Sequence, residues 1–210
     1  MPTGIIWGAR GDIGGAVLDL MIEQGWQTIA IARMNAGLEA RTPYCYEADF
    51  CHLHEIEQVV QSVAQEFDEI DLWIYAAGDI VYKKVEDLEL PVWHRMFEAN
   101  LCGPYLAARS CLPLLAKDAH MFFLGAVSER LRLPGFTAYA AAKAGLEAFA
   151  EAFAKENRKK KITVVRPGAV ATKFWDRVPL KLPDDAVSPQ KVAASILEAY
   201  HKGQTGHLDL

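Results

Sequence analysis

The chain has 210 residues, 51% of them hydrophobic and 23% charged, with 27 acidic against 22 basic side chains and a net charge of -5. That length and balance fit one globular domain, 1–210, with a sizeable core, and exclude a chain disordered by composition. A mildly acidic whole gives no electrostatic reason to expect nucleic acid as a partner.

MPTGIIWGARG at the N-terminus lacks a basic segment followed by a long apolar run, so no secretory signal is expected. Within it, GIIWG reads as a short buried strand that stops at a glycine. Ile13, Val17, Leu20 and Met21 then recur at helical spacing. TIAIA is a second strand, and CYEAD ends a third. His52 and His54 flank Leu53, but no further ligands follow at metal spacing, so no metal is expected. From His54 the stripe Ile56, Val59, Val60, Val63 and Phe67 is helical. DLWIYAAG is a strand ending in small residues. Pro91 opens a helix running through Trp93, Phe97 and Leu101. HMFFLGA is a strand, Tyr139 to Glu156 a long helix, and ITVVRPG a strand closed by proline and glycine. Arg158 to Lys161, the one basic run, falls between those two and reads as a solvated turn. Ser188-Pro189 caps a last helix with the stripe Val192, Ala193, Ile196, Leu197 and Tyr200. GHLDL can add one closing strand. The four cysteines form no C-x-x-C pair, so free thiols in a reducing cytoplasm are expected. No apolar stretch reaches membrane-spanning length, so no membrane partner is expected.

Strands alternate with helices throughout, and several strands are unbroken apolar runs. That predicts an α/β fold: a single-domain, doubly wound parallel sheet with helices on both faces. Ligands bind such sheets at the carboxyl ends of the strands, near the switch point.

Gly8, Gly11 and Gly14 lie between the first strand and the first helix, where a turn can bring backbone against a pyrophosphate at a helix N-terminus. The alternative is a turn that only needs small residues. Gly8, Arg10, Gly11, Asp12, Ile13 and Gly14 are the candidate cofactor residues of this loop. The second strand ends Ala32-Arg33, with no carboxylate for a ribose 2′-hydroxyl and a cation for a 2′-phosphate. With Arg10 nearby, this favours NADP(H) over NAD(H), unless Arg33 is an ordinary surface arginine.

The glycine loop, DLWIYAAG, Asn100, the pair Tyr139-x-x-x-Lys143 and RPGAVAT resemble, in order and spacing, the short-chain dehydrogenase/reductase family, whose domain is a Rossmann fold. The resemblance spans the whole chain. It implies a nicotinamide-dependent oxidoreductase acting on a small carbonyl or alcohol. In that family Tyr139 would be the general acid or base. Lys143 would favour its phenolate and hold the nicotinamide ribose, and Asn100 would order a water beside Lys143. Asp49 and Phe50 would lie at the adenine. Ala76, Ala77 and Gly78 would pass the adenosine ribose. Pro167, Gly168, Val170 and Thr172 would meet the nicotinamide end. A homodimer through the helices bearing Asn100 and Tyr139 is implied, with Ala107, Ala108, Ala148 and Phe149 suited to close packing. Taken singly, Tyr139, Lys143 and Asn100 each have a plain alternative as a helix-start aromatic, a solvated cation and a polar surface residue.

Three departures stand out. Thirteen residues before Tyr139, where the family places a serine that hydrogen-bonds the substrate oxygen, this chain has Ala126. Losing such a donor typically costs about 2.7–4 kcal/mol of transition-state stabilisation. Ser128 is the nearest hydroxyl and the candidate substitute. The strand end reads Ala76-Ala77-Gly78 where the family has asparagine first. The segment 172–188, which would form the substrate lid, is short. Arg130 and Arg132 lie near the expected substrate entrance, and facing water is preferred to holding an anionic tail. Two readings therefore stand: an NADP(H)-dependent carbonyl reductase or alcohol dehydrogenase, or an NADP(H)-binding sensor or scaffold with little catalysis.

Overall fold

In the computed structural model, which describes residues 1–210 apart from the side chain of Ser128, each apolar run becomes a buried strand. The chain runs β1 (Thr3–Trp7), α1 (Asp12–Glu23), β2 (Gln27–Ala32), β3 (Tyr44–Glu47), α2 (Leu53–Glu66) and β4 (Ile70–Tyr75). It continues through α3 (Leu90–Phe97), α4 (Gly103–Cys111), β5 (Leu115–Leu124), α5 (Thr137–Glu156), β6 (Lys161–Arg166), α6 (Pro189–Lys202) and β7 (Gly206–Asp209). The seven strands form one sheet in the order β3-β2-β1-β4-β5-β6-β7, and every pairing is parallel.

Alternate residues of the central strands face opposite layers, as the strand period of two requires. Ile5, Trp7, Trp73, Tyr75 and Phe123 pack under α2, α4 and α5, against Ile56, Val63, Ala107 and Leu146. Ile6, Leu72, Ile74 and Phe122 pack on the other face against α1 and α6, through Val17, Met21, Val192 and Ile196. Burial on both faces explains why these strands read as unbroken apolar runs. Ser188 accepts from the Lys191 N–H and Pro189 begins α6, as its sequence indicates. GHLDL adds β7 in parallel to β6 at the sheet edge.

The helix opened by Pro91 differs from its sequence reading. It breaks into α3, a π-helical turn Glu98–Cys102, and α4. Pro104 explains the break: it has no N–H to donate to the Asn100 carbonyl four residues earlier, and its ring crowds that carbonyl. The π turn, closed by the Gly103 N–H on the Glu98 carbonyl, lies just before Pro104 and carries the buried Asn100. The strand order reverses between β1 and β4, so the loops after these two strands part at the switch point.

Candidate active site

The loop after β1 is built for backbone approach. Gly8 has φ +91°, and a Cβ on it would lie 2.6 Å from the Ala77 nitrogen in the loop after β4. A Cβ on Gly14 would lie 2.2 Å from the Gly8 oxygen. Gly11 donates its N–H to that oxygen at 2.9 Å and starts α1 with no side-chain cap. The first-turn N–H groups of α1 are thus left for a ligand, with the positive end of the helix dipole behind them. Arg10 and Arg33 are exposed, and neither forms an ion pair with any described residue.

Two nucleotide candidates also have partners within the protein. Asp49 accepts from the Cys51 N–H at 3.0 Å, closing a turn at the start of α2. Phe50 is a core residue: its ring packs edge-on against Trp7 and Tyr75 at 5.5 and 5.9 Å. Burial there leaves only its backbone for an adenine. Asp12 is also partly committed, because its Oδ2 accepts from the Lys173 N–H at 2.8 Å, 161 residues away in the chain.

Tyr139 and Lys143 lie one turn apart on α5 and both are buried. The Lys143 Nζ lies 5.7 Å from the centre of the Tyr139 ring and donates to the Leu124 carbonyl at 2.8 Å. Burial pulls the Lys143 ammonium down to about 8, with the nearby Glu147 charge opposing it. Burial pushes the Tyr139 phenol above its ordinary value. The downward pull expected from Lys143 is thus not the dominant effect here; desolvation is. Asn100 is 1% exposed, so it is not a surface polar residue. Its Nδ2 donates to the Asp79 and Met96 carbonyls, each at 2.9 Å, while Oδ1 is buried without a partner. Gly78 leaves room for both groups: a Cβ there would lie 2.9 Å from Asn100 Oδ1 and 3.8 Å from Lys143 Nζ.

A cavity of about 340 Å³ brings Ile13, Ala76, Ala77, Gly78, Tyr139, Lys143, Pro167, Gly168, Val170 and Thr172 onto one surface. Ala126 lines it too and brings only a methyl group to the wall. Tyr139 and Thr172 carry the only hydroxyls among the described lining side chains. Ser128 opens a short helical turn, Ser128–Leu131, but its side chain lies outside the described residues. Within 172–188 the chain forms a helical turn, Lys173–Arg177, and Phe174, Trp175, Val178 and Leu180 line the cavity. Arg130 lines the cavity as well, and a Cβ on Gly168 would lie 3.5 Å from its Nη1. Arg130 and Arg132 are both exposed, and of the two only Arg130 lies in the lining.

Sequence reasoning missed Asp79. Its carboxylate pairs with Arg177 of the Lys173–Arg177 turn and, at 2.8 Å, with Arg95 of α3, while its backbone oxygen holds Asn100. Its place directly after Ala76-Ala77-Gly78 is the only signal that points to it. Glu147, one turn after Lys143 on the same face of α5, was legible from spacing alone. No group of three or more His, Cys, Asp or Glu is placed to hold a metal among the described residues. No described helix is long and apolar enough to cross a membrane.

With this geometry in hand, comparison with known proteins is direct. The family profile described as short chain dehydrogenase matches residues 3–182, and the chain belongs to that family. The oxidoreductase BOA17 of Botryotinia fuckeliana is 27% identical over 218 residues, spanning 98% of this chain and 78% of that relative. An alcohol dehydrogenase from the archaeon Thermococcus sibiricus, complexed with 5-hydroxy-NADP, superposes with a TM-score of 0.90 at 23% identity, covering 100% of this chain and 96% of its own. BdcA in complex with NADPH gives a TM-score of 0.85 at 22% identity, covering 99% and 93%. At those identities the two structures establish the shared fold.

Proposed function

We propose that this protein is an NADP(H)-dependent oxidoreductase that interconverts a small carbonyl compound and its alcohol, with Tyr139 as general acid in reduction and general base in oxidation. The observation that carries the reading is the convergence of Tyr139 and Lys143 with the Ala76–Gly78 and Pro167–Gly168 segments on one cavity. The cradle fits a dinucleotide: Gly8 and Gly14 let the loop fold so tightly that a Cβ on either would strike neighbouring backbone, and α1 presents an uncapped N-terminus. Arg33 and Arg10 suit a 2′-phosphate. The NADP-type ligands of the Thermococcus enzyme and of BdcA agree with that preference.

A bound nicotinamide supplies the hydride, and the chain's own residues manage the proton. Burial keeps the Tyr139 phenol protonated, the form that carbonyl reduction consumes. Its O–H proton passes to the carbonyl oxygen as the alcohol forms, and the phenolate left behind faces the Lys143 ammonium. Asn100 Oδ1, an acceptor with no protein donor, orders a water through which Lys143 returns a proton to Tyr139. Thr172, Pro167 and Gly168, which line the cavity, would hold the carboxamide end of the cofactor.

NADPH and NADH oxidation over a panel of aldehydes and ketones tests the reading. Tyr139→Phe should lower turnover by about 10²-fold or more, and NADPH should be the better donor. Equal turnover by wild type and the Phe variant would sink the role of Tyr139. The sensor reading is favoured by one observation, the Ala126 methyl in the cavity; it expects tight NADPH binding with no carbonyl reduced by the wild type.

Four unpaired cysteines suit a reducing compartment such as the cytoplasm. A homodimer through α4 and α5 would use Tyr105, Ala144 and Ala148, which are exposed. Ala107 and Ala108 are fully buried within the chain and take no part, a correction to their sequence assignment. A monomeric mass by light scattering would overturn the dimer.

A further inference from the structure

The mechanism leaves one buried acid unused. Glu147 lies one turn beyond Lys143 on the buried face of α5. Its Oε2 is 3.6 Å from Nη1 of Arg166 on β6, and its Oε1 is buried with no hydrogen-bond partner. Arg166 has better partners elsewhere. Its Nε and Nη2 donate to the two Asp209 carboxylate oxygens on β7 at 2.7 and 2.8 Å. Its Nη1 also lies 3.7 Å from Glu129.

This is a poor arrangement for stability. A distance of 3.6 Å is too long for a hydrogen bond, one carboxylate oxygen is unsatisfied, and a buried pair of that quality does not repay its desolvation. The position does supply a negative charge behind the ammonium that projects into the cavity. Arg166 does not close a hydrogen bond on that carboxylate, because its Nε and Nη2 are taken by Asp209.

We propose that Glu147 is a positioning residue for the active site: backed by Arg166, it holds Lys143 in its ammonium form beside Tyr139. The proposal rests on the reductase reading for what that ammonium does, but the pairing is a property of the protein without cofactor. Tyr139 and Glu147 face Lys143 from its own helix, the Leu124 carbonyl from β5, and Asn100 Oδ1 from the π turn beside Gly78. Glu147 is faced by Arg166 from β6, and Arg166 by Asp209 and Glu129. Glu147 is the carboxylate among these that acts on Lys143, and it works against the effect of burial.

The test is an NMR titration of protein carrying ¹³C at lysine Cε, without cofactor, with the Lys143 resonance assigned through Lys143→Arg. The wild-type midpoint should fall near about 8, and that of Glu147→Gln about one pH unit lower. An unchanged midpoint overturns the proposal even if the variant melts earlier, since Glu147 would then be purely structural. If Glu147→Gln does not fold, Glu147→Asp, which withdraws the carboxylate by one methylene, takes its place; a lowered midpoint supports the proposal and an unchanged one overturns it. In the reductase assay, the basic limb of kcat/KM for Glu147→Gln should move down by the same amount. A wild type without turnover would defeat the reductase reading and leave the NMR result to decide the role of Glu147.

Discussion

In the proposed reductase, Ala126 is the residue expected to limit the catalytic rate. It is buried at the cavity wall and presents a methyl group to the place where a substrate oxygen would sit. A methyl cannot donate, so in the proposed reaction the developing oxyanion would depend on the Tyr139 proton and the Lys143 charge. Ala126→Ser adds one oxygen at a wall that already borders the cavity, so little repacking is needed. One donor is commonly worth 10²–10³ in kcat in water-excluded sites; a gain of about 10-fold or more is expected here, with NADPH affinity unchanged. Steady-state kinetics of the two proteins on one aldehyde checks it. No gain would mean that a donor is already present, and Ser128 would be the residue to mutate next.

At the scale of elements, periodicity carried most of the fold and hydrogen bonds carried what it missed. Strands and helices were legible because two-faced burial writes itself as unbroken apolar runs and 3.6-residue stripes. The pair Tyr139–Lys143 was legible because helical spacing alone aligns it. The break at Glu98–Cys102 had a signal, Pro104, that apolar periodicity does not register. Ala107 and Ala108 were misplaced because an apolar residue suits a core and a partner face equally. The lid contacts join residues far apart in the chain, which no local pattern reveals. Its helical turn is held at one end by Asp12 on the Lys173 N–H and at the other by Asp79 on Arg177, while the Trp175 Nε1 donates to the Val170 oxygen at 2.8 Å. Arg177 is partly exposed, so its pair with Asp79 is worth about 1 kcal/mol. Arg177→Ala should therefore raise substrate KM about fivefold while changing kcat less than twofold. An unchanged KM would show that the lid is held without Asp79.

At the scale of the whole molecule, the sheet itself carries a pH sensitivity remote from the site. His120 is 1% exposed on β5, with its ring stacked on Phe122 at 4.1 Å. Its Nε2 lies 2.8 Å from the Thr163 Oγ1, and that hydroxyl donates to the Gln204 carbonyl at 2.6 Å. The hydroxyl proton is thus committed, so Nε2 must carry the imidazole proton and Nδ1 is left buried and bare. A second proton would place a cation in the core near Lys161, and burial followed by that charge brings the imidazole down to about 4. An unfolded histidine titrates near 6.5. Between these values the unfolded chain binds more protons than the folded one, so stability rises with pH. His120 contributes fully above about 6.5, and its contribution is lost as pH falls toward about 4, a change on the order of 3 kcal/mol. In His120→Gln the amide can still donate to Thr163 but cannot titrate. Urea unfolding at pH 7.5 and 4.5 should show the wild type losing about 2–3 kcal/mol more than this variant. The carboxylates titrate alike in both proteins and cancel in the comparison. Equal losses would mean that the folded protein admits the second proton at no cost, and that the buried Nδ1 has a route to water.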